Sequence, residues 1–261
     1  MTKTIFINAS ELAKLTGHNK FEDFSKTIKT ILSRNKLSND YIAKSNTEES
    51  LRSLKSEQLA CIRNELTLPK TATIKEIESV IKNTVINKSL SNDMTEDTSK
   101  SVADKTLLKT PMINMVLKSG IKKDIQMKRG NVKEEKNLNL SEKKEKIVIK
   151  QRNSQMYSKV LFVEPGGKYK TIIRGKVDGI MDDTIVETKN RSRRLFHNIP
   201  GYEKVQIEAY MFLTGLDKAI HIECYNDEQV KTDYVHNGLF WYDCVGKING
   251  FIKDNIVPHI K

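Results

Sequence analysis

The chain has 261 residues, 38% of them hydrophobic, with 45 Lys and Arg against 33 Asp and Glu for a formal net charge of +12. That content allows one elaborated domain or two small ones with a buried core, and the positive excess favours a polyanionic partner. Excluded are a bilayer span, since no apolar run approaches roughly 18 residues, and a disulfide framework or zinc ribbon, since Cys61, Cys224 and Cys244 are an odd, unclustered set.

In chain order, Ser10 caps a first short helix ending at Gly17. Asn8, Ser10, Glu11 and Lys14 interrupt the apolar stretch that a signal peptide would need, so a soluble intracellular protein is expected. Phe21, Phe24, Ile28, Ile31 and Leu32 then recur at helical spacing, Leu51, Leu54, Cys61 and Ile62 predict a second helix, and Ile74, Ile77, Val80 and Ile81 a third. These amphipathic stripes predict a helical insertion over residues 22–88, serving as scaffold or, in a sharper reading, as a partner-docking or DNA-binding unit. Residues 89–106 are dominated by Ser, Asn, Asp, Thr and Lys and read as a flexible linker. A long helix follows over 110–145, with Pro111 near its start.

Val160–Glu164 and Tyr169–Ile173 read as strands about a Gly166-Gly167 turn. Lys170–Ile180 and Thr184–Val186 read as a second hairpin, with Met181-Asp182-Asp183 as turn material. Side chains alternate on a strand, so Glu187 and Lys189 share one face while Thr188 points away, leaving its carbonyl near them. Asp178 faces them across the hairpin, flanked by Gly175 and Gly179, and glycine inside a strand marks a bulge or close approach. Carboxylates and a carbonyl are hard ligands suited to Mg²⁺ or Mn²⁺, which take phosphate oxygens and activate water, and Lys189 is placed to stabilise developing charge. A Glu-x-Lys pair alone is ordinary decoration of a solvent face.

Downstream, Tyr202–Leu213 has a helical apolar pattern stopped by Gly215, and places Gln206 and Tyr210 on one face, within reach of the same phosphate or base edge. Ala219–Tyr225 and Gln229–Val235 read as further strands, and residues 238–260 as a helix covering the sheet with Trp241 in the core. Arg174, Lys176, Arg191, Arg193 and Arg194 are candidate grips on backbone phosphates, giving salt-sensitive binding without base readout. No P-loop sequence and no Gly-x-Ser-x-Gly elbow occurs, and five scattered histidines lack a zinc-protease spacing.

The order Ala9-Ser10-Glu11-Leu12-Ala13 through Phe21, Arg129-Gly130-x-x-x-Glu134, Gly175-x-x-Asp178-Gly179, Glu187-x-Lys189, Gln206-x-x-x-Tyr210 and Leu213-Thr214-Gly215 resembles the PD-(D/E)xK nuclease superfamily. Within it the chain is similar to YqaJ-type, lambda-exonuclease-like viral recombinase nucleases, and the Gln-x-x-x-Tyr element is similar to that of RecB-type nucleases. The resemblance covers the first twenty or so residues and the chain from about 128 onward. Val177 stands where the superfamily name has proline, and the spacer between Phe21 and Arg129 is long for a minimal exonuclease.

The resemblance implies an α/β (α+β) fold with a mixed central β-sheet flanked by helices, a restriction-endonuclease-like core. Residues 1–21 and 107–261 would form that core, around the insertion and linker. It implies metal ligation by Asp178, Glu187, the Thr188 carbonyl and Glu134, with Mg²⁺ or Mn²⁺ as cofactor. Lys189 is then the catalytic lysine, Gln206 and Tyr210 orient substrate or lysine, and Ser10 is a further candidate nucleic-acid contact. The expected activity is a metal-dependent deoxyribonuclease, an exonuclease in recombination or repair of a viral or phage genome, located in host cytoplasm or a viral factory. DNA, a homo-oligomer partner and a single-strand-annealing or replication protein are the expected partners, with no membrane. The alternatives are a structure-specific endonuclease, an RNase, and a nucleic-acid-binding or assembly protein that has lost turnover.

Overall fold

Apolar residues in this chain alternate with two periods, and the structure, a computed structural model describing residues 2–19, 24–37, 44–91 and 94–260, follows both. The strands are β1 (Lys3–Asn8), β2 (Tyr157–Val163), β3 (Tyr169–Gly175), β4 (Gly179–Met181), β5 (Thr184–Asn190), β6 (Lys218–Tyr225) and β7 (Glu228–Val235). The helices are α1 (Leu12–Leu15), α2 (Phe24–Arg34), α3 (Asn46–Arg52), α4 (Ser56–Glu65), α5 (Ile74–Ile81), α6 (Glu96–Leu108), α7 (Pro111–Glu145), α8 (Gly201–Thr214) and α9 (Gly238–Asn255). Phe21, expected to open the helical spacing before α2, lies outside the described residues.

The mixed, helix-flanked α/β architecture is present, with its strands divided between two sheets of order β1-β3-β2 and β4-β5-β6-β7. In the first, β1 runs parallel and β2 antiparallel to β3. In the second, β5 and β6 are parallel, with β4 and β7 antiparallel at the edges. Lys170–Ile180 is therefore not one strand: β3 ends at Gly175, Val177 is buried, and the chain enters the other sheet at Gly179. The apolar Val177 side chain continues the alternating pattern across this break, which is why the pattern reads as continuous.

Three further differences lie upstream. Lys3–Asn8 pairs with β3 throughout, its Ile5 and Ile7 wholly buried, so the chain begins with a strand. Ser10 sits inside the following turn rather than capping it: Asn8 precedes the turn, and its amide donates to Glu11 Oε2 at 3.1 Å. Residues 96–108, expected within and beside a flexible linker, form α6. Two apolar side chains, Ala103 and Leu107, suffice to dock it, because its other inward positions are satisfied polar ones. Ser99 Oγ donates to the Ser89 carbonyl at 2.6 Å, and Glu96 is ion-paired with Arg129.

Helix α7, about 52 Å long at 1.5 Å per residue, serves two cores. Its first half contributes Ile113, Leu117, Ile121 and Ile125 to a cluster with Leu51, Ile62, Ile77, Ile81 and Leu107. Its second half places Leu138 against Ile149, Val186, Ile222 and Cys224, on one face of the second sheet. The largest cluster fills the space between strands and α1, α8 and α9, including Ile5, Ile173, Ile185, Val205, Ala209 and Ile248.

The helical unit is pinned to α7 by Asp124, which accepts the Asn46 and Thr47 amides at 3.0 and 2.9 Å at the start of α3. One turn earlier, Gly120 lets the two backbones meet: a Cβ there would lie 2.8 Å from the Asn46 carbonyl oxygen. Alanine in mid-helix ordinarily gains about 0.5–1 kcal/mol over glycine. Gly120→Ala is instead expected to lower the denaturant midpoint, with overpacking costing about 1–3 kcal/mol; an unchanged or raised midpoint rules out the close contact.

Candidate active site

Strand β5 is buried on both faces, and its alternation decides which groups share the site. Ile185 joins the cluster that holds α8, whereas Val186 packs with Leu138 of α7. Glu187 and Lys189 continue the α8 side, and their parallel partners on β6 are His221 and Glu223. Helix α8 begins after Pro200 and ends at Gly215, whose φ of +79° suits glycine. Its residues Glu203, Gln206 and Tyr210, one turn apart, lie over those strand residues.

A connected polar chain results. Lys189 Nζ donates to Glu187 Oε1 at 2.5 Å and to Gln206 Oε1 at 3.1 Å, and Gln206 Nε2 donates to Tyr210 Oη at 2.9 Å. An amide both accepts and donates, so glutamine can join an ammonium to a phenol. The Tyr210 ring fits because Gly175 has no side chain: a Cβ there would be 2.9 Å from Tyr210 Cε1. At Gly179 a Cβ would be 2.3 Å from Ile149 Cγ2. Both glycines flanking Asp178 thus admit neighbouring side chains.

Asp178 Oδ2 accepts the Thr188 amide at 2.8 Å and its hydroxyl at 3.2 Å. The Thr188 side chain, expected to point away from the site, therefore orients a site carboxylate. Glu134 reaches the same region from α7 and accepts Asn153 Nδ2 at 3.0 Å. Burial raises Asp178 above the usual carboxylate range, against the opposing charge of Lys189. Burial and then the charge of Asp178 push Glu187 up to about 8 and Glu134 up to about 7. Burial favours neutral Lys189, yet Glu187 and Asp178 outweigh it and hold the ammonium charged.

The donor chemistry of these residues, carboxylates and a carbonyl, is the kind a hard divalent cation takes. Three carboxylates face one ammonium, and Glu187, 1% exposed, has an Oε2 atom with no hydrogen-bond partner among the described residues. A buried carboxylate oxygen left without a donor is costly, and an oxygen-seeking cation satisfies it.

The basic residues divide. Arg191 is buried, with Nη1 on Glu203 Oε1 at 2.5 Å and Nε on Glu223 Oε1 at 2.7 Å, so it grips no external phosphate. Two buried carboxylates outcompete solvent for the guanidinium, whose planar fork suits both. Lys176, Arg193 and Arg194 are exposed. Arg174 donates to Asn8 Oδ1 at 3.0 Å and lies over the Phe6 ring, beside exposed Ser10. Glu203, His221 and Glu223 were not foreseen; the available signal was Glu203 one turn before Gln206. Their ligand atoms lie within 4.8 Å of one another, but Arg191 already supplies the cation to both carboxylates. Burial would raise Glu203, yet donation from His221 and Arg191 holds it at about 2.

No protein-family model matches the chain, and no curated protein matches it. Solved structures similar to it include a phage-related exonuclease from Haemophilus somnus, 15% identical over 51% of this chain and 73% of that one, with a TM-score of 0.37. LHK-Exo in complex with dAMP is 11% identical over 81% and 92%, and an alkaline exonuclease (LHK-Exo) from Laribacter hongkongensis 12% identical over 67% and 92%, both with TM-scores of 0.40.

Arg191→Ala strands two buried carboxylates, and a loss of about 3–5 kcal/mol in chemical denaturation is expected, whereas Arg194→Ala on the surface stays within about 0.5 kcal/mol. Equal effects would mean that Arg191 is not the buried tie. For Glu187 the folded pKa exceeds the unfolded one, so between about 4.5 and 8 the folded state binds the extra proton and stability falls as pH rises. In EDTA the melting temperature should therefore fall by several degrees from pH 5 to 8, and Glu187→Gln should flatten the trend. A wild-type profile that rises over this window contradicts a Glu187 buried without a cation.

Proposed function

We propose that this protein is a Mg²⁺- or Mn²⁺-dependent nuclease that hydrolyses DNA phosphodiesters, acting as an exonuclease in recombination or repair of a viral or phage genome. The observation that carries the proposal is the buried Glu187 Oε2, which has no hydrogen-bond partner among the described residues, on one of three carboxylates beside a lysine that two neighbours hold in place. Asp178, Glu187 and Glu134, with the Thr188 carbonyl, would hold the cation, which when bound supplies Lewis acidity toward a phosphate oxygen.

The remaining chemistry belongs to the side chains. Lys189 stays charged, so its ammonium acts by stabilising negative charge on the phosphate and not as a base. Gln206 restricts that ammonium to one direction, and Tyr210 restricts Gln206. Burial and the site carboxylates hold the Tyr210 phenol well above its ordinary pKa, so it remains neutral and serves as a fixed hydrogen-bonding post. Thr188 holds Asp178 by two donors on one oxygen, leaving the other for a ligand. Exposed Arg193, Arg194 and Lys176 add backbone attraction without base preference.

End-labelled linear duplex DNA incubated with the protein tests this directly. Cleavage is expected with Mg²⁺ or Mn²⁺ and not with Ca²⁺, and a ladder growing from one end marks exonuclease action. Asp178→Asn and Lys189→Met should each slow cleavage by about 10²–10³-fold while DNA affinity stays within a few-fold; Gln206→Ala should cost less, by misdirecting Lys189 without removing it. DNA binding with no cleavage in any of the three ions would identify a binding protein, and full activity in Asp178→Asn would dismiss the site.

A further inference from the structure

Outside the candidate active site, a cavity of 390 Å³ without a role in it lies where α6 and α7 meet the loop after β5. Its floor is apolar, from Ala103 and Ile125. Around it stand the cationic side chains of Lys100, Lys122, Arg129 and Arg193, with Glu96 the one carboxylate in the wall. Glu96 is already engaged, since one of its oxygens accepts from both Arg129 Nε and Asn190 Nδ2.

Arg129 points to a missing ligand. It is 2% exposed, its Nη2 donates to the Met94 carbonyl at 2.5 Å, and its Nη1 has no hydrogen-bond partner among the described residues. A charged donor left bare in a buried position calls for an acceptor, and in this cavity an anion supplies one. Lys122 and Lys100 pair with the half-exposed Asp104 and the exposed Asp97 at 2.8 and 3.4 Å, and Lys100 also lies over the Tyr225 ring. Such surface pairs hold weakly, so both ammonium groups can turn inward.

The wall also connects to the candidate active site. Gln126 Nε2 donates to Ser192 Oγ at 3.0 Å, closing α7 onto the loop that starts just after Lys189. Along α7, Arg129 precedes Glu134 by five residues, roughly 7.5 Å, or about two nucleotides at 3.4 Å each.

We propose that this cavity is an anion site that takes a phosphate group of the nucleic-acid strand, one or two nucleotides from the bond to be cleaved. The assignment to a strand rests on the nuclease reading; the anion chemistry does not. A free nucleotide or inorganic phosphate would present the same chemistry, and the two sources separate by experiment.

Binding is measured on the full chain in EDTA, so that no cleavage is needed. The probes are inorganic phosphate, by calorimetry, and a labelled single-stranded oligonucleotide, by anisotropy across a salt series. The surface double variant Lys122→Ala/Arg193→Ala avoids the folding risk of replacing Arg129, and its melting temperature verifies the fold. The expected result is a loss of phosphate affinity on the order of tenfold and a salt slope for the oligonucleotide shallower by about 0.7, for one phosphate no longer neutralised on a single strand. Wild-type behaviour of the double variant with both probes overturns the site. Weakened phosphate binding with unchanged oligonucleotide affinity and slope overturns the strand as its ligand. Should these binding results stand while Mg²⁺-dependent cleavage is absent, the nuclease reading fails and the anion site survives.

Discussion

Everything about the candidate site follows from burying carboxylates on β5 and its neighbours. A strand between two helical layers is expected to be apolar throughout, and Ile185 and Val186 obey this. Glu187 does not, and at 1% exposure its charge has no water to lean on. The surrounding groups are compensations for that burial: Lys189 two residues on, Gln206 to steer the lysine, Tyr210 to steer the glutamine, and a glycine at 175 to admit the tyrosine ring. Glu187 Oε2 is left without a hydrogen-bond partner among the described residues, which is the ground for proposing a cation there.

Helix α7 gives this arrangement its reach. A rod of 35 residues is stabilised less by its own propensity than by what it packs against, and it packs against both the helical unit and the second sheet. The same rod thus carries Asp124 to the start of α3, Arg129 to the cavity wall and Glu134 to the carboxylate cluster. No loop interrupts α7 between its contacts with the helical unit and Glu134.

The mixed, helix-flanked α/β class was legible in the sequence, and so were the residues that meet between β5 and α8. The strand period put Glu187 and Lys189 on one face and the helix period put Gln206 and Tyr210 on another, and the resemblance in motif order is what joined the two pairs. Arg191 could not: an arginine in a loop reads as a surface cation until Glu203 and Glu223 are known to be buried beside it, and neither lies near it in sequence. Helix α6 was illegible for a related reason, since its docking relies on polar groups satisfied by partners as distant as Asn190 and Asn226. The break after β3 was hidden because apolar Val177 keeps the strand pattern across a point where the backbone changes sheets.

Two glutamates between α8 and the second sheet, Glu203 on the helix and Glu187 on β5, show why one part of this face is structural and the other is a candidate for chemistry. Glu203 and Glu187 both sit on the α8 side of the second sheet and both are nearly inaccessible. Around Glu203, His221 and a forked arginine more than offset desolvation, and the carboxyl is held at about 2. Around Glu187, a single ammonium does not offset it, the charge of Asp178 adds to the cost, and the carboxyl rises to about 8. Environments that drive like groups apart in this way mark where a protein leaves a charge to be completed from outside. Arg191 completes Glu203 from within the chain, whereas at Glu187 the proposed cation would supply what the single ammonium does not.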